Sequence, residues 1–175
     1  MKKFFMRGLL CAALAVAAAA GAPASAASAQ ALHSGLLPFL PPPPSGYQSP
    51  TPPVAVEDLN GMEPSAHQAY GSVDPQSSMG FGVTIVHLSP EDLDDAIDAL
   101  SEVPVGPHPM APWMVTSHVK VNGLDAYLSY NDQGPGGVLQ MRVGRVLVGV
   151  SGSGVTPEAI IGLAGSMDTA ALQKY

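Results

Sequence analysis

Cysteine is almost missing from this 175-residue chain: the one present, Cys11, lies in an N-terminal leader. Once the leader is removed, the folded protein is expected to form no disulfide, to offer no thiol nucleophile and to be held by packing alone. Positive charge is nearly as scarce. Of the 7 basic side chains three (Lys2, Lys3 and Arg7) belong to the leader, so export leaves 4 against 14 acidic ones, a formal charge of −10. Nucleic acid and anionic lipid are thereby poor partners, since both need a field of the opposite sign. A long hydrophobic run is also lacking. The apolar stretch 9–20 dissolves into Ala, Gly, Pro and Ser, whereas a permanent span needs about 20 apolar residues.

The leader itself is well marked. The three basic residues are followed by the short apolar run, and Ala24-Ser25-Ala26 and Ala27-Ser28-Ala29 offer small-x-small cleavage sites. Leu10 precedes Cys11 where a lipidation signal has a small residue. Residues 1–29 are therefore expected to be a cleaved signal peptide, with no stable membrane span afterwards and an exported product, periplasmic or secreted.

Proline is abundant where charge is not. The stretch 36–53 reads LLPFLPPPPSGYQSPTPP, a density that removes backbone donors and favours extended polyproline II. Residues 54–78 stay polar and weakly patterned, so 30–78 are expected to be a disordered Pro-rich linker and 79–175 a single α+β domain, large enough for one small core.

Within that domain, 80–88 alternates with β-branched residues as a strand does. Ser89-Pro90-Glu91 is a helix start, followed by Leu93, Ala96, Ile97 and Leu100 at helical spacing up to Pro104. Asn122-Gly123 predicts a type I′ hairpin placing Val121 opposite Leu124, Val119 opposite Ala126, Ser117 opposite Leu128 and Val115 opposite Tyr130. Gly144-Arg145 predicts a second, with Val143 opposite Val146, Met141 opposite Val148 and Leu139 opposite Val150. Thr156-Pro157-Glu158 opens a last helix, striped by Ile160, Leu163, Ala164 and Met167 but weakened by Gly162 and Gly165 at about 1 kcal/mol each. The expected fold is α+β: a small antiparallel sheet of about five strands, order β-α-β-β-β-β-α, with both helices on its apolar face and its polar face free.

The C-terminal third, with its hairpin strands running into VLVGVSGSGVTPEAIIGLAGSMD, resembles the end of a domain of unknown function found in exported anti-sigma-factor-like and sporulation-associated bacterial proteins. Thr156, Glu158, Ala164, Ser166 and Met167 carry the likeness. It implies an extracytoplasmic sensing or interaction module and assigns no catalytic residue.

Three chemistries remain to be weighed. The polar sheet face gathers His118, Lys120, Tyr127, Gln140 and Arg142, a set able to orient an acidic or aromatic ligand or a partner protein. His108-Pro109-Met110 pairs an imidazole with a thioether, suited to copper. Ser151 lies between a strand and a helix, but it lacks the glycine spacing of a nucleophile elbow, and the loop lacks a phosphate-binding lysine. The sequence thus predicts a non-enzymatic envelope-binding or protein-interaction module, without a cofactor, whose partner is an envelope protein or a small ligand. A small copper-handling protein using His108 and Met110 is the alternative, and a hydrolase using Ser151 comes third.

Overall fold

A computed structural model describes residues 35–56 and 64–175, so the expected signal peptide lies outside the described residues. In chain order the elements are β1 (Tyr47–Gln48), β2 (Val54–Val56), β3 (Ser65–Ser72), β4 (Gly80–His87), α1 (Pro90–Ser101), β5 (Gly106–His108), β6 (Ala111–Val121), β7 (Leu124–Asn131), β8 (Gly136–Val143), β9 (Val146–Ser153), α2 (Pro157–Gly165) and the single-turn α3 (Thr169–Leu172). A short 3-10 turn, Leu37–Phe39, precedes β1.

The two hairpins form as their residues dictate. Asn122 and Gly123 take φ of 51° and 81°, the left-handed pair of a type I′ turn. The turn sets Val121 against Leu124, Val119 against Ala126, Ser117 against Leu128 and Val115 against Tyr130. Gly144, at φ 61°, turns β8 into β9, so that Val143 meets Val146, Met141 meets Val148 and Leu139 meets Val150. Both helix starts cap as written: Ser89 Oγ accepts from the Asp92 N–H at 3.1 Å and Thr156 Oγ1 from the Ala159 N–H at 3.4 Å.

The sheet is larger than five strands. Nine strands pair antiparallel in the order β1-β3-β4-β9-β8-β7-β6-β5, with β2 sharing the outer edge of β3 beside β1. The expectation of about five strands is corrected at both edges: the stretch 30–78, expected to be a linker, supplies β1, β2 and β3, and β5 adds a fourth strand beyond β6. β3 escapes pattern reading because its inward positions are Ala66, Gln68 and Tyr70, one small and two polar, so the apolar alternation that marks a strand is missing. Gln68 is tolerated inside because its side-chain amide donates to the carbonyls of Thr51, at 3.1 Å, and Ala69, at 2.9 Å.

The helices are also placed differently. α2 lies on the face made by Val83, Ile85, Leu139, Met141, Val148 and Val150, where Ile160, Leu163 and Ala164 join one continuous core. α1 lies against β8 on the other face. Its Asp94 reaches Arg142, which points away from Met141 and Val143, and its buried Leu93 and Leu100 stand outside the main core. The reason is chain reach: α1 leaves β4 near the middle of the sheet and must cross it to reach β5 at the far edge, and the apolar face is already filled.

That filling comes from both ends of the described chain. Leu36 is fully buried in the main core, with Leu37, Phe39, Leu40 and Tyr47 packed around it. Tyr175 closes the same corner, its ring edge-on to Phe39 at 5.8 Å and to His87 at 5.9 Å. The Tyr70 phenol donates to the buried carbonyl of Pro41, so the proline run is fastened across the sheet instead of hanging in solvent. Burial pushes the Tyr70 pKa up to about 12.

Two glycines show how α2 is seated. A Cβ on Gly152 would lie 2.4 Å from Val155 and 2.8 Å from Ile160, so this strand position must be glycine for the helix to approach. Gly162 is the opposite case: a Cβ there would meet nothing within 4 Å, while glycine costs the helix about 1 kcal/mol relative to alanine. Asn122 ties the first hairpin to the end of α2, donating from its side-chain amide to the Gly165 carbonyl at 3.1 Å.

Substituting Tyr70→Phe keeps the ring and strands the Pro41 carbonyl. Urea unfolding should show a loss of about 1–3 kcal/mol, the cost of an unsatisfied buried acceptor. An unchanged midpoint would mean that the proline run is not held there.

Candidate functional site

On the face opposite the main core, His118 of β6 stands across from Tyr127 of β7, and Tyr127 across from Gln140 of β8. The His118 and Tyr127 rings meet edge to face at 4.7 Å. The same row continues through Gly149 and Thr84 to His67, where the His67 Nδ1 lies 3.1 Å from Thr84 Oγ1 and its Nε2 lies 3.2 Å from Ser65 Oγ. His67 falls in the stretch expected to be linker, and its pairing with β4 brings it to this row. Partial burial lowers its pKa from the ordinary 6.5.

The two cations expected to give this face its purpose are both occupied. Lys120 Nζ lies 2.6 Å from Asp125, and Arg142 is held 2.6 Å from Asp94 by α1 while its Nε donates to the Gly144 carbonyl at 3.1 Å. Each pair is exposed and contributes about 1 kcal/mol at most. Their electrostatic effect is larger than their energy, because each positive charge is matched locally by a carboxylate. α1 also brings Glu91, Asp92, Asp95, Asp98 and Glu102, all exposed, to this side. His118, Lys120, Tyr127, Gln140 and Arg142 therefore share a face, but they do not converge on an anion-binding centre.

His108 ends β5, and Met110 lies in the turn to β6. Both are exposed, and the Nδ1 of His108 accepts the Met110 N–H at 3.2 Å, which commits one imidazole nitrogen to the turn. Among the described residues, no group of three His, Cys, Asp or Glu side chains is arranged to hold a metal ion. Ser151 lies within β9 and donates to the Gly82 carbonyl at 3.4 Å.

The β5–β6 hairpin has a property that residue-by-residue motif reading passed over. From 103 to 119 there is no Asp, Glu, Lys or Arg. Val105, Met110 and Trp113 stand 64%, 87% and 44% exposed there, in a frame stiffened by Pro104, Pro107, Pro109 and Pro112. The absence of charge over that span was the signal available. A second surface feature lies on the main-core side: a cleft of about 370 Å³ between the proline run and α2, bordered by Pro42, Pro44, Tyr47, Phe81, Ala159 and Leu163, among others.

Among the described residues the architecture is one antiparallel sheet with a helix on each face. Comparison with protein-family models, with curated proteins and with solved structures finds no match. No helix among the described residues is long and apolar enough to cross a membrane.

His67 makes stability depend on pH in a definite direction. As pH falls through 6.5, the unfolded chain takes up a proton that the folded site resists, so stability is full above that value and declines toward the lowered folded pKa. Urea midpoints measured between about pH 7.5 and 5.5 should fall for the native protein and fall less for His67→Gln. Parallel curves for the two proteins would remove His67 as the cause.

Proposed function

We propose that this chain is an exported, non-enzymatic interaction module, and that it engages an envelope protein through the uncharged span 103–119 of the β5–β6 hairpin. The single observation supporting it most is the exposure of Met110 and Trp113 together in a charge-free, proline-stiffened hairpin of a strongly acidic protein. Exposed apolar groups gathered in one place are costly in water and typify recognition surfaces. Tryptophan anchors and methionine adapts, a pairing common where one protein grips another. Prolines limit the conformational freedom that binding would otherwise remove.

Local electrostatics agree with a protein partner. The acidic residues of α1 lie on the outer side over β8, outside the hairpin, and would repel anionic competitors while leaving the neutral patch open. Catalysis is not needed to account for any of these features, and the exported setting follows from the leader.

The test is affinity capture from envelope extract with the mature protein and with Trp113→Ser/Val105→Ser, a pair that leaves both His108 and Met110 in place. The double variant should melt at the native temperature and bind the captured partner at least tenfold more weakly, as removal of a hot-spot residue does. Equal capture by both proteins would exclude the hairpin. Failure of both to retain any envelope protein would count against the interaction reading itself.

A further inference from the structure

We infer that Asn122 is a modification site held shut by the fold: an Asn-Gly pair that deamidates itself to aspartate or isoaspartate once residues 165–169 release its side chain. Asparagine followed by glycine is especially prone to this reaction, because glycine has no side chain to shield its nitrogen. The Gly123 nitrogen bonds to the Asn122 Cγ and gives up its proton, while Nδ2 departs as ammonia and leaves a five-membered imide. Water then opens either carbonyl of the ring. One product is aspartate; in the other the main chain runs through the former side chain. Solvent water is the only co-reactant, and Asn122 and Gly123 are both exposed to it.

Two features of the structure oppose ring closure. Asn122, at φ 51°, is the one non-glycine residue at positive φ among the described residues. In a left-handed residue the following nitrogen points away from Cβ, so the ring cannot close until the turn opens. The departing group is also engaged. Nδ2 donates to the Gly165 carbonyl at 3.1 Å, and the Met167 carbonyl and Thr169 Oγ1 each lie 3.4 Å from it.

Those acceptors belong to the connection between α2 and α3, which is itself anchored. Met167, Thr169 and Leu172 are buried, and Asp168 Oδ1 caps α3 by accepting the Ala171 N–H at 2.9 Å. Freeing the Asn122 amide therefore requires this connection to lift from the core. Conversion would then prevent its return. A carboxylate has no proton to donate to the Gly165 and Met167 carbonyls, and isoaspartate lengthens the turn that sets Val121 opposite Leu124. The first hairpin would stay unlatched from the end of α2, a permanent record of one local opening.

The test follows deamidation at Asn122 by peptide mapping and mass spectrometry, with the full mature protein kept in warm, mildly alkaline buffer below its melting temperature. A second pair, Asn60-Gly61, lies outside the described residues and reports the unfolded chemistry of the same dipeptide in urea. Above the urea transition the two pairs should react alike, and folding should slow Asn122 about tenfold or more. Asp168→Ala, which removes the α3 cap without touching Asn122, should speed the folded reaction about fivefold. Asp168→Asn, an equally good cap, should restore the native rate. Tyr70→Phe, which weakens the fold far from the turn, should leave that rate unchanged. Should Asp168→Ala fail to fold, Thr169→Val, which deletes one acceptor and keeps the cap, should also speed the reaction. Any of three results would overturn the inference: Asn122 reacting as fast folded as unfolded, no acceleration when the connection is loosened, or equal acceleration by Tyr70→Phe, which would make global unfolding the route.

Discussion

The main apolar face of the sheet has to be covered, and that requirement organises the rest of the molecule. Eight strand positions at about 4.8 Å spacing make a face roughly 34 Å across, whereas α2, with nine residues, is only about 14 Å long. The helix covers the ground over β8 and β9 and leaves the side toward β3 and β4 uncovered. The 3-10 turn, Leu36 and the proline run fill that space, and Tyr70 fastens them there. Proline suits the task because its ring is apolar and its missing N–H cannot be stranded by burial.

Once the apolar face is filled from both ends of the described chain, α1 has only the opposite face to cross. This separates the surface into regions of different character. The acids ride on α1 over the polar face, where they neutralise Arg142, and the charge-free hairpin lies at the far edge beyond them. The proline-walled cleft opens on the other side of the sheet.

Much of the fold was legible where side-chain alternation is strong and turn chemistry is specific. Asn122-Gly123 and Gly144 fixed both registers because a one-residue slip would have exposed Val119, Leu128, Met141 and Val148. The helix starts at Ser89 and Thr156 were equally plain, since cap, proline and acid act within one turn. β3 was not legible: with Gln68 inward and His67 outward, its pattern resembles a loop until Thr51 and Thr84 supply the hydrogen bonds. The candidate site was legible in part. Alternation correctly put His118, Lys120, Tyr127, Gln140 and Arg142 on one face, but the approach of Asp94 to Arg142 depends on the path of α1, which no local pattern records.

By itself the sequence determined what acts over a few residues: the hairpin turns, the pairing they impose, the helix caps, the scarcity of positive charge and the uncharged span around Trp113. Tertiary structure alone decided that nine strands share one sheet, that the helices take opposite faces, and that a proline-rich segment is packed instead of free. These outcomes depend on contacts between distant segments, such as Tyr70 with Pro41 and Gly35 with Tyr175. Their energy comes from excluding water over a shared surface, a quantity that exists only once the chain has come together.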